Sequence, residues 1–273
     1  MSISSHERVC GIQAKICARA ILSPVAMSSR AQRCALVAPT LLACGLACGL
    51  TCGCAETPRS CELDTSALVM LATVSDNDAG VEVEIEFETA TGSSEEIGTA
   101  LALCPSSDTL SVNGVEADEQ LTLGHLYYIA QFEPGTPSFE IVLERKDKTN
   151  VTATVEMPPA FELTAPTPAS EHSRTSNLAI SWAPAWDGQE IDVLVGDEIG
   201  STCIEGLGYI GSVDDSGSFV LPAGSLTNGS TGGSCEARVA LTRVLEAPYP
   251  GVLAPGGSLT AVVNRRVSIE STD

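Results

Sequence analysis

The chain is poor in the residues that most enzymes use to move protons or hold phosphate. Its 273 residues include three histidines, and only His125 and His172 lie beyond residue 54. A nucleophile–histidine pair would need one of them held rigidly against a serine or cysteine. The sequence contains no Gly-x-Ser-x-Gly elbow, no His-Glu-x-x-His pair and no phosphate-binding loop. Basic residues are scarce as well: 14 Lys and Arg stand against 35 Asp and Glu, a formal net charge of −21. From residue 55 onward the balance is 34 acids to 9 bases. So acidic a surface repels phosphate backbones, which argues against nucleic acid as a partner. It also disfavours direct contact with anionic lipid head groups, and its plain consequence is solubility. These absences point to a non-enzymatic protein with no catalytic, cofactor-binding or metal-ligating set. A secreted hydrolase stays open as the alternative, because 34 acids supply many carboxylate pairs.

Charge is missing altogether from residues 34–54, CALVAPTLLACGLACGLTCGC, which hold five cysteines. Arg30 and Arg33 precede the stretch, and the polar run 55–60 follows it. A positive start, an apolar middle and small residues before a cut are the layout of an export signal. Met27 opens MSSRAQR and makes a better start than Met1, which leaves residues 1–26 as a mis-assigned or disordered extension. A retained transmembrane helix is the competing reading, since 21 uncharged residues are long enough. Against it stand the cysteines together with Pro39, Gly45, Gly49 and Gly53.

The segment 27–54 resembles bacterial lipoprotein signals, in which Leu, a small residue and then Gly, Ala or Ser precede the modified cysteine. Leu41-Leu42-Ala43-Cys44 matches at the first and third positions, and Thr51-Cys52-Gly53-Cys54 only at the residue before the cysteine. A cut before Cys54 places the polar flank immediately downstream and leaves an even number of cysteines; a cut before Cys44 leaves seven. Cys54 is therefore the preferred lipidation site and Cys44 the alternative. The resemblance implies several acyl chains on that cysteine. One chain holds a protein only marginally, and two signals anchor it stably. It also implies sorting by the next residue, here Ala55, to the outer membrane.

An exported chain meets an oxidising compartment, where disulfides form. After Cys54 the cysteines are Cys61, Cys104, Cys203 and Cys235, with spacings unlike those of zinc sites. Four cysteines allow three pairings. Two fall before residue 158 and two after it, which predicts Cys61–Cys104 and Cys203–Cys235.

Beyond a tether at 55–62 the sequence reads as all-β. Ser66–Val74 is an apolar run, and VEVEIEFE (81–88) alternates strictly. That period of two places Val81, Val83, Ile85 and Phe87 on one face and four glutamates on the other. TALAL (99–103) reads as a further strand. Asn113-Gly114 predicts a tight hairpin. HLYYIAQF (125–132), SFEIVLER (138–145) and NVTATVEM (150–157) complete a first sandwich over 63–158. Pro158, Pro159, Pro166 and Pro168 oppose regular structure and mark a linker over 159–170. A second sandwich follows over 171–273. Calcium is testable at Asp76, Asp78, Asp214 and Asp215, provided their oxygens converge.

The second segment carries a further resemblance. SNLAISWAPAWDGQEIDVLV (176–195), FVLPAGSL (219–226) and CEARVALTRV (235–244) are similar to strands of fibronectin type III modules. The resemblance implies that Leu178, Ile180 and Trp182 face inward, followed by Ile191, Val193 and Val195. Cys235 departs from it, standing where that family has a tyrosine. The expectation is two consecutive immunoglobulin-like β-sandwich domains behind a signal and lipid anchor. Such a protein displays a binding, adhesion or accessory module in the cell envelope, toward a protein or glycan partner that the sequence does not name. A structural subunit of an envelope complex is a related alternative.

Overall fold

The computed structural model describes residues 57–77, 79–90, 99–122, 125–197, 203–230 and 232–273. Apart from Thr57, Thr122 and His125, they belong to one compact unit, Pro58–Leu121 with Leu126–Asp273. Among the described residues, two single-turn helices, Ser60–Glu62 and Thr65–Ala67, lead into sixteen strands. The first eight are β1 (Leu68–Asn77), β2 (Gly80–Thr89), β3 (Asp108–Val112), β4 (Val115–Glu116), β5 (Asp118–Thr122), β6 (His125–Phe132), β7 (Ser138–Arg145) and β8 (Val151–Glu156). The rest are β9 (Glu162–Ala165), β10 (Glu171–Ser173), β11 (Leu178–Ala183), β12 (Glu190–Asp197), β13 (Tyr209–Asp214), β14 (Ser218–Leu221), β15 (Cys235–Glu246) and β16 (Ser258–Thr272). The chain is an all-β protein built from sandwich layers.

Local chemistry accounts for most of these strands. Val81, Val83, Ile85 and Phe87 of β2 are all buried, while Glu84 is exposed and Glu82, Glu86 and Glu88 are half-buried. Neutral residues flank the glutamates: Ser75 and Gln131 lie opposite Glu82, and Thr73 and Ile129 opposite Glu84. Like charges therefore do not meet directly across the ladder, the pairing that would destabilise it. Burial together with Glu82 and Glu86 pushes the Glu84 carboxyl upward. Asn113 and Gly114 both take positive φ (47° and 76°), and Val112 pairs with Val115 across them, as a two-residue hairpin demands. TALAL is not a ladder strand. It contributes isolated bridges, Ala100 to Glu88 and Ala102 to Arg59.

Two hydrophobic cores result. The first takes Leu68, Met70, Phe87, Leu110, Phe139, Leu143 and Val155 among others, and the second takes Leu178, Ile180, Trp182, Ile191, Val195 and Val239. A β4-β3-β7-β8 sheet covers the first core and a β14-β11-β9 sheet the second. The opposite layer is shared: one nine-stranded sheet runs β13-β12-β15-β16-β1-β2-β6-β5, with β10 also on β16.

The link between the cores is the C-terminal hairpin, β15 with β16. Its outer part pairs with β12, while Ser258–Val263 of β16 pairs in parallel with Leu71–Asp76 of β1. Leu253, Leu259 and Ala261 are buried in the first core, and the Tyr249 hydroxyl accepts a hydrogen bond from the Met70 amide at 2.9 Å. The stretch 171–273 therefore does not keep to one core. Twelve- and fifteen-residue strands are long enough to cross both, since each residue adds about 3.3 Å. Gly257 is required at the first-core end of β16, because a Cβ there would collide with the Met70 carbonyl oxygen and the Tyr249 ring.

Candidate functional site

The lipidation candidates Cys54 and Cys44, the start Met27 and the calcium candidate Asp78 lie outside the described residues. Among the described residues, no helix is long and apolar enough to cross a membrane. The disulfides Cys61–Cys104 and Cys203–Cys235 are both formed, with Cα separations of 5.7 and 6.1 Å.

Each bridge lies beside a buried arginine. Arg145 donates to Thr65 Oγ1 (3.0 Å) and to the carbonyls of Ser60 and Leu63, and lies 3.6 Å from Asp108. Ser60 Oγ donates to Asp108 and accepts from the Cys104 amide at 2.9 Å. Residues 58–62, part of a tether by the sequence reading, are thus built into the first sandwich. The Ser60 amide bonds Ala102 O at 2.9 Å, and the Ala102 amide bonds Pro58 O at 3.0 Å. Near the other bridge, Arg174 holds Asn228 Oδ1 (2.7 Å), Ser271 Oγ (3.0 Å) and Asp273 Oδ1 (2.5 Å). Asp197 lies within metal-ligand reach of Cys203 and Cys235, but both sulfurs are bonded to each other.

The most unusual arrangement lies where the shared sheet passes from one core to the other. Alternation along β15 turns Ala237, Val239, Leu241 and Arg243 to the inside. Along β16 it turns Leu259, Ala261, Val263, Arg265, Val267 and Ile269 the same way. Two arginines therefore sit on the inward face at the waist. The covering layers part here, because β8 ends at Glu156 and β9 begins at Glu162. Met157 packs against both cores.

Arg243 is 0% exposed. It donates Nε to Asp215 Oδ2 (2.6 Å) and Nη2 to Asp215 Oδ1 (2.9 Å), the paired geometry that a guanidinium makes with a carboxylate. The same side chain donates to the carbonyls of Pro159 (2.7 Å) and Pro184 (2.6 Å). Its guanidinium stands 4.6 Å from the Phe161 ring centroid and 6.0 Å from that of Trp186. Trp182 donates Nε1 to Asp215 Oδ1 at 2.6 Å, so this core tryptophan also serves the pair. Burial pushes the Asp215 carboxyl up, but the hydrogen bonds from Arg243 and Trp182 and the guanidinium charge outweigh it and hold the group below 3.8. The clamp ties the proline-rich crossing to the second core.

Arg265 is engaged with Asp76, at 3.2 Å through Nη2, and its Nη1 reaches the Asn264 carbonyl at 2.8 Å. Asp76 and Asp215 thus answer arginines on different strands, while Asp214 is exposed; the calcium candidates are not brought into one cluster among the described residues. Beside Arg265 opens a cleft of about 640 Å³, lined by Ala160, Phe161, Leu163, Pro184, Arg265 and Arg266, with Glu162 and Ala183. Arg266 is exposed on β16. His125 is exposed at the start of β6. His172 is half-buried on β10, where desolvation lowers its pKa. The sequence analysis did not single out Arg243 or Arg145; their inward phase on alternating strands was the available signal.

No protein-family model matches the chain, and no curated protein matches it. Among solved structures, fibronectin(III)-like modules of Clostridium thermocellum CbhA align over 75% of this chain and 93% of that chain, at 12% identity and a TM-score of 0.22. With so low a score, the sandwich architecture stands on the sheet order and the two cores alone.

Proposed function

We propose that this is an exported protein, lipid-anchored through Cys54 or alternatively Cys44, that acts without catalysis as a binding, adhesion or accessory module of the cell envelope. The observation that carries the reading is the pair of disulfides, one at each core, because such bridges persist in oxidising compartments and are rare in the cytosol. The uncharged, cysteine-rich leader supplies the route of export, and outer-membrane placement follows from the lipoprotein resemblance. The two cores share one sheet, and the acidic surface keeps the protein off anionic head groups and nucleic acid. The partner is a protein or a glycan.

The anchoring residue sets the stand-off. Among the described residues, Pro58 is the first hydrogen-bonded into the body, four residues after Cys54 and fourteen after Cys44. Fully extended, those spans reach about 14 and about 50 Å. The first holds the folded body close to the bilayer. The test is metabolic labelling with an alkyne fatty acid, followed by membrane fractionation. The wild type is expected to label and to pellet with the envelope. Cys54→Ser abolishes labelling if Cys54 is the site, and Cys44→Ser does so if Cys44 is. Label-free wild-type protein in the cytosolic fraction would overturn the proposal.

A further inference from the structure

We infer that β13, the last strand of the shared sheet on the side of the second core, is the surface through which two copies of this chain pair edge to edge. The inference goes beyond the envelope role proposed above and does not depend on it. β13 is hydrogen-bonded to β12 on one side and, among the described residues, to no strand on the other. The ladder fixes which of its backbone groups are free. The Asp215 amide donates to the Gln189 carbonyl at 2.8 Å, and the same register sets Val213 opposite Ile191, Gly211 opposite Val193 and Tyr209 opposite Val195. Bonded pairs recur at every second residue of an antiparallel ladder. Tyr209, Gly211 and Val213 therefore turn their amides and carbonyls to β12, while Ile210 and Ser212 turn theirs to the open edge.

Open edges are ordinarily blunted by charge, proline, a bulge or shortness. The other edges of this protein follow that rule. β5 carries Asp118 and Glu119, and β4 has two residues. β9 and β14 have four residues each and run into Pro166 and Pro222. β8 lies against β16. β13 has six residues in unbroken register, no proline and no basic residue, and its one charge is Asp214 at the end. Its middle presents Ile210 at 58% exposure, and Leu207 just before the strand is 76% exposed.

A second copy is the partner because the strand is complementary to itself. Residues directly opposite in a sheet share a face, so the faces of two copies match only in registers that set Ile210 and Ser212 against each other or against themselves. With a two-fold axis at Gly211, Ile210 of one copy meets Ser212 of the partner subunit, and each such pair exchanges both its amide and its carbonyl bonds. Every outward group of Ile210 and Ser212 is then used in both copies. Gly211 falls on the axis, in an unbonded pair whose Cα atoms stand about 4.5 Å apart. It brings no side chain there, and the Tyr209 hydroxyl lies over it. Pairing also covers part of Ile210 on the outer face. An edge of this length buries less than a standard interface, below roughly 1,200 Å², so the dimer is a weak one. Both copies are strongly acidic, so salt that screens their repulsion strengthens it.

The experiment is sedimentation equilibrium on the full chain, without reductant and in a density-matched detergent, over roughly 1–200 μM protein. Reversible association to twice the monomer mass is expected, tightening as sodium chloride is raised. Ile210→Lys and Ser212→Pro are each expected to weaken it by about tenfold or more, and the proline removes an edge amide that β12 does not use. Val220→Lys, at an exposed position of β14, is expected to leave the association unchanged. Thermal melts matching the wild type show that the variants are folded. Amide hydrogen exchange reads the register: Ile210 and Ser212 are expected to slow as protein concentration rises, and Thr152 and Thr154 of β8 are not. A monomer at every concentration, a dimer indifferent to both β13 variants, or exchange at Ile210 and Ser212 that does not respond to concentration overturns the inference.

Discussion

Replacing Arg243 by alanine removes more than a charge. Asp215 is 1% exposed and would keep its carboxylate with no cation beside it, only the Trp182 indole and the Trp186 backbone amide. The carbonyls of Pro159 and Pro184 would lose their donor at the same time. Breaking a buried ion pair from one side costs about 3–5 kcal/mol, because the remaining charge is left uncompensated. For a body of this size, about 2–4 °C of melting temperature goes with each kcal/mol, so the expected drop is roughly 6–20 °C. Differential scanning calorimetry of the oxidised protein measures it. The double variant Arg243→Met with Asp215→Leu is expected to recover part of the loss, since an apolar replacement of both partners is often close to neutral. A single-variant drop below about 1 kcal/mol, or a double variant no better than Arg243→Ala, would refute the view that this pair clamps the waist.

Acid is expected to weaken the same clamp. The folded carboxyl of Asp215 is held below its unfolded value of 3.8, so its contribution is complete above that value and is lost as pH falls through the lower folded value. Chemical melts from pH 6 to pH 2 should show this loss, and Asp215→Asn should lack that component. Gly257→Ala is expected to destabilise by roughly 1–3 kcal/mol, because its Cβ meets the Met70 carbonyl and the Tyr249 ring; urea titration reads it. Opening the Cys61–Cys104 bridge with Cys61→Ser and Cys104→Ser together should cost about 4 kcal/mol by the chain-entropy estimate for a 43-residue separation. A fragment of residues 57–165 is expected to stay unfolded by circular dichroism, because its core lacks Leu253, Leu259 and Ala261 from the hairpin.

Much of the strand pattern was legible because period-two alternation leaves its record residue by residue. β2, β7 and β8 lie where Val81–Phe87, Ser138–Arg145 and Val151–Glu156 alternate, and β6 lies on the aromatic run His125–Phe132. The inward positions of Leu178, Ile180 and Trp182 were readable for the same reason. β9 and β10 were hidden because they are four and three residues long and lie in or beside a proline-rich stretch. The sharing of one sheet by two cores was not legible at all. Nothing local in Ser258–Val263 says that it will pair with Leu71–Asp76, nearly two hundred residues earlier. Arg243 and Arg145 were overlooked because an arginine in a strand reads as a solvated residue. Only the assembled layers show that each faces inward toward backbone carbonyl groups and a buried carboxylate.

The proposed anchoring requires that the leader is cut away and that the new amino terminus carries lipid. Intact-mass and peptide analysis of protein purified from membranes tests it most directly. A mature chain that begins at Cys54, or at Cys44, with the added mass of acyl groups and both disulfides closed is the predicted result. An unmodified peptide that includes Met27, recovered from the same purified protein, would contradict it.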